Sequence, residues 1–413
     1  MPSTRLSRAA LSAALVLIAG RASAEKVTLD RALQLADASH PLLRAGSAGV
    51  EAATAAITTA RAYPNPEASI IAGRQTVTPG TGPRAGVPQY VVQQPLELGA
   101  LRPSRIALAE RGKESSDFFL SEIRLGVLSH VRRTFFQVLR RIGELRIATE
   151  NVRLVQDLRN RIQVRVDVGE VGRLELVRAE AEVASARTLA SSAQLQQVTA
   201  IAQFRAAVGG VLEPQIEFEG DIDQQVTLPS IETLRQQALD HHPALAFSRS
   251  EIARAEARVS YERALKTPQL AVRGEVDMAG PSYRVGLALP VPTWNRRQGP
   301  IAEATALHRQ ATATAQAREI EIIAALDGAY ERFAVANQQV TLFEQGLLRE
   351  AEEALRAAEV AYQLGERGIL EVLDAQRLLR TVRLNFLNAQ YDRQAALVDL
   401  DELRAIDLLR RTP

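Results

Sequence analysis

The stretch TPQLAVRGEVDMAGPSYRVGLALPVPTW, residues 267–294, decides how the chain reads. Leu270, Val272, Val276 and Met278 fall on one side of an extended chain, and Ala271, Arg273, Glu275 and Asp277 fall on the other. Gly280-Pro281 makes a turn, after which Tyr283, Val285, Leu287 and Leu289 alternate with Ser282, Arg284, Gly286 and Ala288. The pattern predicts a β-hairpin with one apolar and one polar face. Each arm has about ten residues, the length that a tilted strand needs to cross a bilayer core. A soluble sheet shows the same alternation, so the weight of this hairpin comes from the helices around it and from a second copy upstream.

Composition narrows the class. The 413 residues are 46% hydrophobic with 24% charged, which fits neither a disordered chain nor a polytopic helical membrane protein. Residues 1–24 read as a secretory signal, with Arg5 and Arg8 ahead of the apolar run from Ala9 to Gly20 and a cleavage site at Ala22-Ser23-Ala24. Its removal takes away three arginines and no acid, lowering the formal charge from +2 to −1. The basic balance therefore belongs partly to the leader and does not point to nucleic acid. Cysteine is absent, which excludes disulfides, a thiolate nucleophile and a lipid-bearing N-terminal cysteine. No later segment reaches eighteen consecutive apolar residues, so entry into a membrane is expected through strands.

Taken in order, residues 25–210 predict a first repeat. Leu29, Ala32, Leu33 and Ala36 share a helix face that His40-Pro41 breaks, and Pro41 opens a helix to about Ala62. A hairpin follows over 67–97, with Ile70, Tyr90 and Val92 outward and a Gly/Pro-rich loop between its arms. A helix over 103–167 carries Leu128, Val131, Phe135, Val138, Ile142 and Leu145 in steps of three and four, the seam of a coiled coil. About 65 residues make a rod of roughly 100 Å. A turn at 168–172 and a helix over 173–208 complete the repeat.

The order then recurs. His40-Pro41, Arg61-Ala62 and Pro66 meet His242-Pro243, Arg263-Ala264 and Pro268 at an offset of 202. After the shorter second hairpin the offset is 195, from Ile106-Ala107 to Ile301-Ala302, and near the far turn it is 196, from Gly169-Glu170 to Gly365-Glu366. The chain is read as a tandem duplication. A linker over 211–229 leads to a second repeat over 230–408, with hairpin 268–294, long helix 298–363, turn 364–368 and helix 369–408, and a tail over 409–413. The two short helices of each repeat are together nearly as long as the rod, so they are expected to pair with it end to end.

Four strands cannot close a barrel, and in lipid an open edge leaves backbone groups unpaired at several kcal/mol each. Copies must therefore share a barrel, with eight strands from two chains, twelve from three or sixteen from four. On this reading Val272, Val276, Val285 and Leu287 face lipid, and Arg273, Glu275 and Arg284 face a wet lumen.

The duplicated helix-hairpin-helix order, Tyr63-Pro64-Asn65-Pro66-Glu67, Gln94-Pro95-Leu96-Glu97-Leu98-Gly99, and the paired tips Val168-Gly169-Glu170 and Leu364-Gly365-Glu366 resemble the TolC family of outer membrane efflux proteins. Pro64-Asn65-Pro66-Glu67 and Pro290-Val291-Pro292-Thr293-Trp294-Asn295 are most similar to the outer membrane members of cobalt, zinc, cadmium and copper exporters. The resemblance implies a mainly α fold with a small membrane β part. It implies a homotrimer, with a trimeric α-barrel of long coiled-coil helices in the periplasm and a shared twelve-stranded β-barrel in outer membrane lipid. It also implies docking to a periplasmic adaptor, or membrane fusion protein, and to an inner membrane resistance-nodulation-division pump. The tips 168–170 and 364–366 are the implied adaptor contacts. Tyr362 and Arg367 fill tethering positions of a periplasmic gate, with Glu175 as their acceptor. Leu174 stands where the family pattern has a hydroxyl residue, which removes part of that tether.

From the residues themselves, Glu371 and Asp374 lie three apart on one helix face, either as a solvated face or, in three copies, as an acidic ring at the inner opening. The five histidines form no His-x3-His pair, and only Met1 and Met278 supply thioethers, so no metal site and no cofactor are expected. His241-His242 before Pro243 is assigned a structural role. No phosphate loop, nucleophile elbow or Ser/His/Asp constellation appears, so no enzyme is expected. The expected function is a passive exit duct, and the resemblance implies divalent heavy-metal cations as its cargo. The same duct for drugs or a secreted polypeptide, and a soluble periplasmic coiled-coil scaffold or adaptor, are the alternatives.

Overall fold

The structure, a computed structural model, describes residues 25–72, 88–210, 212, 216–223, 226–278 and 282–405. The leader, the Gly/Pro-rich loop of the first hairpin, the Gly280-Pro281 turn and the tail lie outside the described residues.

Two His-Pro junctions set the local geometry of each half. Helix α1 (Leu29–Ser39) ends at His40, and Pro41 begins α2 (Pro41–Arg61). The His40 imidazole Nδ1 accepts the Leu42 N–H at 3.2 Å. In the second half α5 (Ile231–His241) gives way to α6 (Pro243–Ala264), and His242 Nδ1 accepts the Ala244 N–H at 3.1 Å. Proline fits the first helical turn because its missing N–H needs no partner there, and the imidazole caps the next donor.

Each half then runs into a hairpin. Strands β2 (Glu67–Ile71) and β3 (Gln89–Leu96) pair antiparallel, as do β5 (Leu270–Asp277) and β6 (Ser282–Ala288). The two hairpins join through β3 and β5 into one sheet of order β2-β3-β5-β6. Its register aligns Ile70, Tyr90, Val276 and Tyr283 in one row and Ala68, Val92, Gly274 and Val285 in the next. This face is open, with Val285 78% and Tyr283 85% exposed. The opposite face buries Val91 and carries an Arg273–Glu275 ion pair at 2.7 Å and a Gln89–Glu275 hydrogen bond at 3.2 Å. The alternation is clear along β5 and β6, whereas in β2 Ile70 and Ile71 fall on opposite faces and both are exposed.

Long helices hang from the sheet. Helix α3 (Leu101–Asp167) has 67 residues, a rod of roughly 100 Å. It starts two residues before the expected position because Pro103 still lies in the first turn, where it is tolerated. Helix α2 lies along its sheet-proximal part, tied by Arg61 to Glu110 at 3.0 Å. Helix α4 (Arg173–Ala207) returns along the distal part, tied by Arg159 to Glu180 at 2.8 Å. The two short helices meet end to end, since a Cβ at Gly209 would stand 3.2 Å from Pro41 Cδ. Where they meet, Phe135, Phe136, Phe204, Val131 and Val27 form a closed core.

That core includes an element absent from the sequence reading. Within the expected linker, β4 (Ile216–Phe218) pairs in parallel with β1 (Glu25–Val27). Phe218 packs on Phe204 at 5.1 Å and on Phe135 at 6.0 Å. Strands of three residues carry too little periodicity to be read, and this pair is set by the aromatic cluster beneath it.

The second rod departs from the single helix expected over 298–363. Helix α7 (Gln298–Leu342) enters a π-turn at Phe343–Leu347 and continues as α8 (Leu348–Gln363). The change of offset from 195 to 196 lies across this segment. A π-turn accommodates one inserted residue and leaves the helix faces on either side in register. Helix α9 (Ile369–Leu403) then returns, and α3 packs against both α6 and α9, joining the halves. Arg132–Asp401 is a buried ion pair at this junction, beside Arg133–Asp399 at 2.6 Å.

Burial, and secondarily the Arg318 guanidinium, lowers the pKa of His242 to about 4. The unfolded side chain titrates near 6.5, so between these values the unfolded chain binds more protons. The stabilisation is therefore complete above about pH 6.5 and is lost as pH falls toward 4. Allowing for partial solvent screening, the expected loss is about 2 kcal/mol. His242→Asn keeps a side-chain acceptor at the cap and removes the titration. Thermal melts followed by circular dichroism should show a smaller fall between pH 7 and 4.5 in the variant than in the parent.

Candidate functional site at the far tips

Both rods end in the same turn. Gly169 (φ 81) and Gly365 (φ 73) adopt the left-handed conformation that only glycine enters at little cost. Glu170 N–H reaches Arg165 O at 2.8 Å and Glu366 N–H reaches Ala361 O at 3.0 Å, closing the last helical turn in each repeat. Val168 and Leu364, just before the glycines, are exposed. The residues 168–170 and 364–366 thus form two matching knobs at the ends of the hairpins α3–α4 and α8–α9.

Behind the knobs an apolar seam unites the two hairpins. Leu158, Ile162, Leu176 and Ala179 of the first pack with Leu355, Ile369, Val372 and Leu373 of the second. Tyr362 belongs to this seam and is only 7% exposed. Its hydroxyl donates to Glu175 Oε2 at 3.0 Å. Burial raises the Tyr362 pKa, the Glu175 bond adds to the rise, and Arg165 opposes it. The phenol therefore stays protonated and able to donate.

Arg165 was not singled out from sequence. Its guanidinium lies 4.9 Å from the Tyr362 ring centroid, and its Nε donates to Glu170 Oε2 at 3.1 Å. It thereby links the first knob to the tyrosine of the second hairpin. An arginine lying over a tyrosine of the other repeat, 197 residues away, has no sequence signature, because the contact exists only once the hairpins pack.

The other expected residues divide. Tyr362 and Glu175 are brought together. Arg367 is exposed, and among the described residues its side chain reaches neither Glu175 nor another acid. Glu371 and Asp374 are both exposed on α9. Asp374 is accompanied by Arg377 at 3.3 Å, and Arg377 also pairs with Glu182 of α4. The acidic pair is thus partly offset by a cation that ties α9 to α4.

Among the described residues no three His, Cys, Asp or Glu side chains are grouped to hold a metal ion. Among them, too, no helix is long and apolar enough to cross a membrane. The tip offers polar ties over an apolar seam.

The chain matches the family described as outer membrane efflux protein over residues 32–210 and 234–404, one match in each repeat. It is 27% identical over 409 residues to the cobalt-zinc-cadmium resistance protein CzcC of Cupriavidus metallidurans, spanning 97% of this chain and 96% of that protein. It is 26% identical over 290 residues to the nickel-cobalt-cadmium resistance protein NccC of Alcaligenes xylosoxydans xylosoxydans, spanning 69% of this chain and 64% of that one. Among solved structures, CusC superposes with a TM-score of 0.77 at 18% identity, over 91% of both chains. The outer-membrane channel OprN superposes with a TM-score of 0.80 at 15% identity, over 92% of this chain and 91% of its own. At such identities the superpositions speak for the fold.

Proposed function

The chain belongs to the outer membrane efflux protein family, located in the outer membrane and reaching into the periplasm, and we propose that three copies form the exit duct of a tripartite exporter for divalent heavy-metal cations. The observation that carries this reading is the four-stranded sheet, apolar on one face and open at both β2 and β6, standing on rods of roughly 100 Å. In lipid those edges need partners. Pairing β6 of one copy with β2 of the next satisfies them, and three copies make a barrel of twelve strands. The polar face with Arg273 and Glu275 then lines the lumen.

The cargo is proposed from the relatives named for resistance to cobalt, zinc, cadmium and nickel. The duct is passive. A pump of the resistance-nodulation-division class in the inner membrane supplies the energy, and a periplasmic adaptor grips the knobs 168–170 and 364–366. Deleting the gene should lower the tolerated concentration of zinc, cobalt or cadmium several-fold and leave drug tolerance unchanged. Drug sensitivity without metal sensitivity would favour the other cargo, and recovery of the protein in the soluble periplasmic fraction would favour a scaffold.

The lipid face is tested at Val285. Val285→Arg places a charge in the apolar band at about 2 to 4 kcal/mol per chain and should reduce assembled trimer. Arg284→Ala, on the lumen face, should leave assembly intact. Cross-linking of detergent-extracted protein reads both.

At the tips the Tyr362–Glu175 bond, with Arg367 free to reach a neighbouring copy, is proposed as the latch of a closed gate. A part-buried hydrogen bond of this kind is worth about a kcal/mol and an exposed tie from Arg367 about 0.2 to 1 kcal/mol, so a few per chain hold the duct shut yet yield to a docking partner. Tyr362→Phe with Arg367→Ser should raise single-channel conductance in planar bilayers several-fold. Glu371 and Asp374 then ring the opening, and multivalent cations should block it from the periplasmic side.

A further inference from the structure

The second rod contains one more residue than the first between equivalent landmarks, and it takes up that residue in a π-turn. At an offset of 195, Gly346 stands opposite Asn151, which is buried in an unbroken helix. Gly346 has φ 178 and ψ −36, outside the helical region. From Thr341 to Glu350 no side chain is buried, whereas Val340 and Ala351 on either side are. At the π-turn the rod is therefore held only by partly buried side chains, Phe343 and Leu348 among them.

The neighbouring helix is held firmly at the same height. Leu387 of α9 seats against Gly143 of α3 so closely that a Cβ there would lie 2.8 Å from Leu387 Cδ2. The adjacent Phe386 packs on Phe343 of the π-turn at 5.8 Å between ring centroids. One level of the molecule thus combines a close contact of α9 on α3 with a π-turn in the helix paired to α9.

We propose that this level is the pivot about which the α8–α9 hairpin bends, and that the π-turn supplies the slack that the bend requires. Two helices joined at their tip cannot bend together without one sliding along the other. With axes about 9 Å apart, a bend of about 10° needs a path difference of about 1.5 Å, the rise of one helical residue. The single inserted residue is the matching amount. The first hairpin has no such slack, since α3 runs unbroken through the same height, so it serves as the fixed wall. From Gly346 to the tip is about 20 residues, or about 30 Å, so the knob at Gly365 would move by about 5 Å. The apolar seam, being non-directional, slides, and the tie at Tyr362–Glu175 breaks.

This inference rests on the gate reading above, and the test separates the two. The chain has no cysteine, so a nitroxide at Gln363→Cys marks the tip uniquely in the full-length trimer in lipid nanodiscs. If the gate opens, Tyr362→Phe with Arg367→Ser should lengthen the label-to-label distances by about 9 Å, given an outward shift of about 5 Å in each copy and threefold symmetry. Deleting Gly346 in that background makes the rod continuous α-helix and should return the distances to those of the parent. Lengthening that persists after the deletion would overturn the pivot and leave the gate standing. Distances that never lengthen would overturn both. Hydrogen exchange on the parent trimer gives a readout that needs no variant to fold. Amides of 343–348 should exchange at least tenfold faster than those of 148–152 in α3, and equal rates would overturn the proposal.

Discussion

Backbone groups at a sheet edge have to be paired, and in lipid no water is present to do it. The four strands of this chain leave one edge of β2 and one edge of β6 without partners within the sheet. A monomer with this sheet in a bilayer would carry a ladder of unpaired donors and acceptors at several kcal/mol each. Closure by further copies removes that cost at once, and it puts the rods of the copies side by side. Under the proposed closure, the helical part is arranged by a requirement that originates in the strands.

Duplication makes the construction economical. Each repeat uses the same His-Pro junction, the same glycine-closed tip and the same pairing of two short helices along one rod. The repeats are not equal, however. Only the first has an aromatic core of Phe135, Phe204 and Phe218 roofed by β1 and β4, and only the second has a π-turn among the described residues. The core packs the middle of one rod, while the other is interrupted by the π-turn. Under the proposed gate this difference would give one wall that stays and one that moves.

At the tips, magnitudes decide which interaction holds and which yields. The apolar seam around Ile162, Leu355 and Val372 provides most of the attraction between the hairpins, at about 25 cal/mol per Å² of buried apolar area. It has little directional preference and tolerates sliding. The Tyr362–Glu175 bond and the Arg165–Glu170 pair contribute about a kcal/mol each, but they are satisfied in one register only. Cohesion comes from the seam, and the choice of position comes from the ties.

Much of this was legible in the residues. Alternation at 270–278 and 283–289 and the His-Pro repeats depend on local spacing, so they announced a hairpin and a duplication, while the shift of offset near the tips went with the expectation of one unbroken helix over 298–363. Tyr362, Glu175 and the two glycine turns were likewise picked out by their place in the family's pattern. The parallel pairing of β1 with β4 was hidden, because three-residue strands are held by Phe218 and its neighbours rather than by their own pattern. Arg165 was hidden because its partners lie in another turn and another repeat. The form taken by the inserted residue was hidden as well: sequence counts a residue, and whether it becomes a loop, a kink or a π-turn depends on what packs around it. Local periodicity and repetition were properties of the sequence by itself. Contacts between segments far apart in the chain, which seat Leu387 against Gly143 and stack Arg165 on Tyr362, were decided by tertiary structure, since packing alone brings those side chains within reach.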